Sequence, residues 1–227
     1  MGSKREIKII KETKVTPRER IHFFLYHPKG RMATFCLSIV FTASFGLDQL
    51  SKYHAHRVLL KYENPDHILD FRQAPFPIGT IGNRNTSEND SHFIGLQFRY
   101  ARNPGAAFSL FADWDEKIRE PFFNVMTLLA IGMIIFYLYD TPIHFKSTRL
   151  GLVMILAGAF GNLVDRLRLS YVIDFIDVDW QILGWRHDFA IFNVADVSIN
   201  IGVGLFILDY FFHRNKLVPN KNEENTA

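Results

Sequence analysis

Four stretches of this chain, residues 32–47, 121–139, 150–164 and 189–208, hold 70 residues and a single charge, Asp196. The other 157 residues carry 48 of the 49 charged side chains. The mean hydropathy of +0.02 averages this segregation away. Apolar runs of this kind are at home in a bilayer. There the backbone has no water to bond, so each run must satisfy its own peptide groups as a helix. With flanking residues each run reaches the roughly 20 that cross a bilayer. The expected helices are 32–51, 121–140, 149–166 and 190–212, and the expected fold class is a membrane α-helical, four-transmembrane-helix bundle.

Orientation follows from lysine and arginine near the spans. Residues 1–31 contain nine of them, Arg214, Lys216 and Lys221 follow the last span, and Lys146 and Arg149 sit between the second and third. Residues 53–120 hold eight, offset by nine acids. Both termini and the 140–149 connection are therefore expected on the cytoplasmic side, with 53–120 and 167–189 facing outward. This divides the chain into a basic arm (1–31), a membrane domain (32–212) that includes the outward segment 53–120, and a cytoplasmic tail (213–227). No small-residue cleavage site follows the first apolar run, so that run is read as an uncleaved anchor. Ile21–Tyr26 fits either a short interfacial helix or part of a disordered basic arm, and 215–227 is expected to be disordered.

Within the outward segment, Leu96, Phe98 and Tyr100 alternate with Gln97 and Arg99, the period of a strand. Pro75 and Pro77 are expected to interrupt a strand before it, and Gly82–Ser91 reads as a loop. A small sheet on the membrane surface accommodates these features.

One cysteine excludes an internal disulfide and any multi-cysteine metal site; Cys36, inside the first run, is expected to pack. The nine histidines show no HExxH spacing, so no metal ligands are expected. There is no GxGxxG, GxxxxGK[ST] or GxSxG. A net charge of +3 is too mild to call for nucleic acid.

Polar groups inside spans are costly and need a reason. Asn193, Asp196 and Asn200 recur at i, i+3 and i+7, as for one helix face. Asn162, Asp165 and Arg166 cluster near the outer end of the third span, and Asp48 and Lys52 are i,i+4 partners in the first. Asp174 lies just beyond the third span in an apolar setting that raises a carboxyl pKa. Beside Asp196 it would share one proton. Such a pair can activate water and protonate a leaving amine. Intramembrane aspartates also serve proton or ion pathways, and the polar stripes could simply fix helix packing, so a small transporter and a non-catalytic scaffold remain open at this point. Asp48–Lys52 reads first as a structural ion pair, and Asp165–Arg166 as a buried pair locking the third span. Asn193 and Asn200 fit interhelical glue as well as a substrate role. Ala157–Gly161 fits close helix packing. Asp177 and Asp179 fit a solvated turn, and Asp209 an interfacial position.

Four ordered blocks carry a family resemblance. Asp48-Gln-Leu-Ser-Lys52 is similar to a DQxxK segment, and Asn103-Pro-Gly-Ala-Ala-Phe-Ser109 to NxGAAFS. Gly161-Asn-Leu-Val-Asp-Arg166 through Val172-Ile-Asp-Phe175 resembles GNxxDRxxxGxVxDF, and Phe192-Asn-Val-Ala-Asp196 resembles FNxAD. All four belong to the lipoprotein signal peptidases (signal peptidase II). The resemblance implies a four-helix bundle with a small outward β-cradle and no cofactor. It implies cleavage of diacylglyceryl-modified prolipoproteins before the lipidated cysteine, at the outer face of the bacterial inner membrane, with membrane lipid around the site. It makes Asp174 and Asp196 the catalytic pair. Asn103, Gly105, Asn162, Arg166 and Asn193 are implied to line the site, and Asp48, Lys52 and Asp165 to support it. This chain departs from the pattern at Ser170, where glycine is usual, at Val197, and in a longer 52–103 connection.

Overall fold

The computed structural model describes residues 17–60, 76–83, 92–105, 114–182 and 185–217. The chain divides into two compact units, Met1–Ile39 and Val40–Ala227. The elements run α1 (Pro17–Tyr26), α2 (Pro28–Leu59), β1 (Phe76–Asn83), β2 (His92–Asn103), α3 (Glu116–Asp140), α4 (Lys146–Leu169), β3 (Val172–Ile182), β4 (Trp185–Asp188) and α5 (Val194–Leu217). Helices α2 to α5 are each long and apolar enough to cross a membrane.

The helices differ from the expected spans mainly at their ends. α2 begins at Pro28, a residue suited to a first helical turn, and continues past Lys52 to Leu59. α5 starts at Val194 rather than at 190. Ile21–Tyr26 falls within α1. Residues 215–217 are helical, not disordered; the rest of that tail, with residues 1–16, 61–75, 84–91 and 106–113, lies outside the described residues. Cys36 is exposed on α2 rather than packed.

α4 is the most buried of the four spans. It meets α5 through backbone contact that only glycine permits. A side chain on Gly151 would strike the Gly202 carbonyl, one on Gly202 the Gly151 carbonyl, and one on Gly158 the Ala195 carbonyl. This agrees with the packing role expected for the small residues at 157–161. Ile131, Leu156 and Leu163 form the apolar core at this level, with Phe41 and Phe160 against them. At the other end of α4, Arg149 donates to the Leu138 and Thr141 carbonyls at 3.0 and 2.7 Å, tying down the C-terminus of α3. Asp209 is buried there and accepts from the Thr148 hydroxyl in the first turn of α4.

The four strands form one antiparallel sheet in the order β1-β2-β3-β4. Pro77 does not end a strand: it lies in β1, at the sheet edge, where a missing N–H is tolerated, with a pairing irregularity between Pro77 and Gly79. β2 alternates as expected, but its buried face is the polar one. Gln97 is buried and donates to Asp177 at 2.9 Å, while Leu96 and Phe98 are partly exposed. Asp177 and Asp179 are correspondingly buried in β3 rather than solvated in a turn, and Arg99 pairs with Asp177 at 3.2 Å. The faces exchange at a bulge. Four residues of β2, Phe98 to Ala101, oppose three of β3, Ile176 to Asp174. One extra residue turns every later side chain over. Tyr100 is thereby buried with Ala55, Leu59, Ile173 and Phe175, which seats the sheet on the end of α2.

The link from α4 to β3 is two residues long, and Ser170 closes the helix with φ of 68° and its N–H on the Arg166 carbonyl at 2.9 Å. A left-handed cap is ordinarily a glycine position, because a Cβ there costs about 1–2 kcal/mol. Ser170→Gly should raise stability by up to about 1 kcal/mol, after glycine's extra unfolded-state entropy is set against the relieved strain. A thermal melt in detergent would read this as a higher Tm, and an unchanged or lower Tm would contradict it.

Candidate active site

The site is built at the ends of α2, α4 and α5 where they meet β2 and β3. Its central member is Lys52, 1% exposed. Its Nζ lies 3.0 Å from Asp48 Oδ2, 3.0 Å from Asp165 Oδ2 and 2.8 Å from Asn162 Oδ1. A buried ammonium is tolerable only when its donors are met in this way. Asp48 is the i−4 neighbour of Lys52 on α2, as expected. Its Oδ1 also accepts the Ala195 N–H at 2.8 Å. That N–H is one of the orphan donors at the start of α5, a favourable place for an anion. Gln49 donates to Asp48 at 3.0 Å and to the Gly161 carbonyl at 3.2 Å. Gly161 is required because any side chain would meet the Asp48 carboxylate.

Asp165 faces Lys52, and its Oδ2 accepts the Ile173 N–H at 3.2 Å, anchoring the start of β3. The expected pairing with the adjacent Arg166 is thus replaced by one with Lys52, since neighbouring helical residues do not face each other.

Asn162 turns this buried charge outward. Its Oδ1 accepts from Lys52, so its Nδ2 is left to donate to Asp196 Oδ1, at 3.1 Å. Asn193 and Asp196 form a reciprocal capping box: the Asp196 N–H donates to Asn193 Oδ1 at 3.0 Å, and the Asn193 N–H donates to Asp196 Oδ2 at 3.1 Å. Asn193 is therefore the residue before α5, not a member of a helical stripe. Its Nδ2 donates to Asp174 Oδ1 at 2.6 Å and to Asn162 Oδ1 at 3.3 Å. One fully buried residue thus bonds both carboxylates, Asp174 through its side-chain amide and Asp196 through its backbone N–H. Asn200 does not join them; it donates to the Asp196 backbone carbonyl at 2.9 Å on an exposed part of the helix.

Asp174 enters from β3, opposite Ala101. Asn103, at the end of β2, donates to Asp174 Oδ2 at 2.9 Å and accepts the Gly105 N–H at 3.1 Å. Burial raises the Asp174 pKa to about 6; the Asn103 hydrogen bond opposes this, the Asp196 charge adds to it, and Asn193 opposes it. Arg166 stands beside the pair with its guanidinium 5.9 Å from the Phe123 ring centre and Nη2 3.5 Å from the Gly105 carbonyl. Its Nε is buried without a hydrogen-bond partner among the described residues.

With this geometry in place, comparison with known proteins is decisive. Residues 40–212 match the family described as Signal peptidase (SPase) II. The chain belongs to the signal peptidase II family. A lipoprotein signal peptidase of Streptococcus pyogenes serotype M2 (strain MGAS10270) is 44% identical over 174 residues, 77% of this chain and 90% of that protein. Proteins of the same name from Syntrophus aciditrophicus (strain SB) and Pasteurella multocida (strain Pm70) are 44% and 38% identical over 110 and 117 residues. These matches span 66% and 68% of the two relatives. A bacterial membrane enzyme solved at 2.3 Å shares the fold with a TM-score of 0.53 at 22% identity, covering 82% of this chain and 93% of that one. A second, solved at 1.9 Å, gives 0.50 at 26% identity over 76% of this chain and 90% of that one. The protein is a multi-pass membrane signal peptidase of this family.

In this signal peptidase II chain the ten residues that the resemblance assigns to the site converge on one cluster, and Asn200, also singled out from the sequence, stays outside it. Gln49 was missed, although it sits inside the DQxxK block. The Asn193-x-x-Asp196 spacing carries a capping-box signal that would have placed the start of α5 correctly. Ala106–Ser109, the rest of the NxGAAFS block, lies outside the described residues.

Removing the central cation leaves Asp48 and Asp165 buried without it. Lys52→Met should therefore destabilise the protein by about 3–5 kcal/mol, read as a large fall in Tm in detergent. A wild-type Tm would show that the ion cluster does not hold the helices together.

Proposed function

We propose that this chain is an aspartic endopeptidase that removes the signal peptide from diacylglyceryl-modified bacterial prolipoproteins, cutting before the lipidated cysteine, with Asp174 and Asp196 as its catalytic pair. The observation that carries this reading is the single Asn193 amide bonded to Asp174, from a residue that caps Asp196. It brings two carboxylates of different environment together at the ends of membrane spans. Pairs of carboxyl groups with divergent environments are what acid–base hydrolysis requires.

Water held between the carboxylates loses a proton to one of them as its oxygen attacks the scissile carbonyl. The other carboxyl donates its proton to the carbonyl oxygen. Collapse of the tetrahedral diol breaks the C–N bond as the amine takes a proton from one carboxyl group and a diol hydroxyl returns its proton to the other. The unused Nε of Arg166 and the amides of Asn162 and Asn103 are suited to hold the peptide or the developing charge. The lipid chains of the substrate can remain in the bilayer while the peptide enters sideways. The peptidase unit is 32–212, with the arm 1–31 and tail 213–227 outside it. The lysine and arginine distribution supports a bacterial cytoplasmic-membrane location with both termini cytoplasmic and the site at the outer face.

The test is a processing gel with purified protein and a diacylglyceryl-modified prolipoprotein. Wild type should yield the shorter product, and Asp174→Asn and Asp196→Asn should each abolish it while leaving the protein folded. Near-normal turnover by either variant would sink the pair. Activity should survive EDTA; loss on chelation that zinc restores would overturn the aspartic assignment.

The pH profile follows from Asp174. If the pair must carry one proton, kcat/KM should fall as pH rises through about 6, where Asp174 gives its proton up. Asn103 stabilises the ionised form, so Asn103→Ala should move that alkaline limb to higher pH. A limb that stays in place or moves down would contradict the assignment.

A further inference from the structure

The sheet carries an apolar face that the peptidase reaction does not use. In an antiparallel pair, residues directly opposite share a face. Ile94 lies opposite Trp180, Leu96 opposite Val178, and Phe98 opposite Ile176. Ile182 lies opposite Trp185 across β4. Most of this face is open: Ile94, Leu96, Phe98 and Ile182 are exposed to between 36% and 48% and Trp185 to 78%, while Ile176, Val178 and Trp180 are half-buried, Ile176 against the core that holds Tyr100 and Phe175. The intervening residues Gln97, Asp177, Asp179 and Gln181, on the other face, are all buried. The usual arrangement of a surface sheet, apolar inward and polar outward, is inverted.

We propose that this face docks into the lipid leaflet at the active-site end of the spans, so that the sheet is a membrane-inserted element and not an aqueous cap. Three observations favour acyl chains as the occupant. The inversion is the pattern of a lipid-facing strand, in which apolar residues point outward and polar ones toward the protein. The face is continuous with the membrane-spanning helices. β3 starts three residues after the end of α4, and Phe192, two residues before α5, bridges to Ile176. Two tryptophans, Trp180 and Trp185, lie on it, the residue type that settles at the bilayer boundary. Asp174 belongs to the same face of β3, two residues before Ile176.

The chain has three tryptophans, Trp114, Trp180 and Trp185. Trp114→Phe leaves only the two on the sheet face. The full-length variant, with no substrate, is reconstituted in vesicles of ordinary phosphatidylcholine or of phosphatidylcholine brominated on its acyl chains, and iodide is then added to the water. The expected result is loss of most tryptophan emission in brominated vesicles and little loss to iodide. Quenching by iodide with emission spared by brominated chains would overturn the proposal. So would protection from both quenchers, which would mean a protein surface covers the face. Protection from iodide that appears only when a lipopeptide is added would also overturn it, in favour of a substrate platform. If Trp114→Phe fails to fold, the difference in emission between wild type and Trp185→Phe reports on Trp185 alone and is judged by the same outcomes.

Discussion

A buried ammonium shared between two carboxylates governs the membrane end of this protein. Lys52 comes from α2, Asp165 from α4, and Asp48 reaches from α2 to the first turn of α5. In a low-dielectric setting no member of such a set can be left alone without a large penalty. The three helices must therefore close on one another in a single register. Asn162 is oriented by the same charge, because its oxygen is taken by Lys52 and only its nitrogen is left for Asp196. The structural ion cluster and the proposed catalytic carboxylates are consecutive links of one hydrogen-bonded chain.

That chain explains why the sequence blocks have the spacing they do. In DQxxK, Asp48 and Lys52 lie one turn apart, and the glutamine between them reaches the Gly161 carbonyl. In GNxxDR, Gly161 makes room for Asp48, Asn162 and Asp165 both meet Lys52, and Arg166 turns toward the outer side of the cluster. In FNxAD, the asparagine ends the approach to α5 and the aspartate begins its first turn. The α4–α5 glycines bring the two backbones close enough for these short side chains to touch.

The four spans and the membership of the cluster were legible in the sequence, because charge exclusion from long runs and ordered polar blocks are strong, local signals. What was not legible depended on contacts between distant segments. Asp165 chose Lys52, 113 positions away, over its neighbour Arg166. The buried face of β2 could not be read from alternation alone, since period two says that faces differ but not which one meets the protein. There Gln97 and Asp177, 80 residues apart, satisfy each other and reverse the default. The change of face at Tyr100 needed the bulge, which pairing reveals and composition does not. Asp177 and Asp179 were misread for the same reason, as was Cys36, whose place inside an apolar run says nothing about which way it faces.

The capping box of α5 has a dynamic consequence. Asn193 holds Asp196 through the same hydrogen bonds that start the helix, and helix ends are where fraying begins. Opening a single turn of α5 would release Asp196 from its backbone donor, free Asn193 from Asp174 and uncover the Ala195 N–H held by Asp48. Because Asn193 and Ala195 are fully buried, and Ala195 also meets Gly158, the first turn of this helix joins the carboxylate pair to the ion cluster and the glycine contact, and none of the three opens without the others. The Asp196 amide, bonded to Asn193 Oδ1, would be the hydrogen-exchange reporter of that opening.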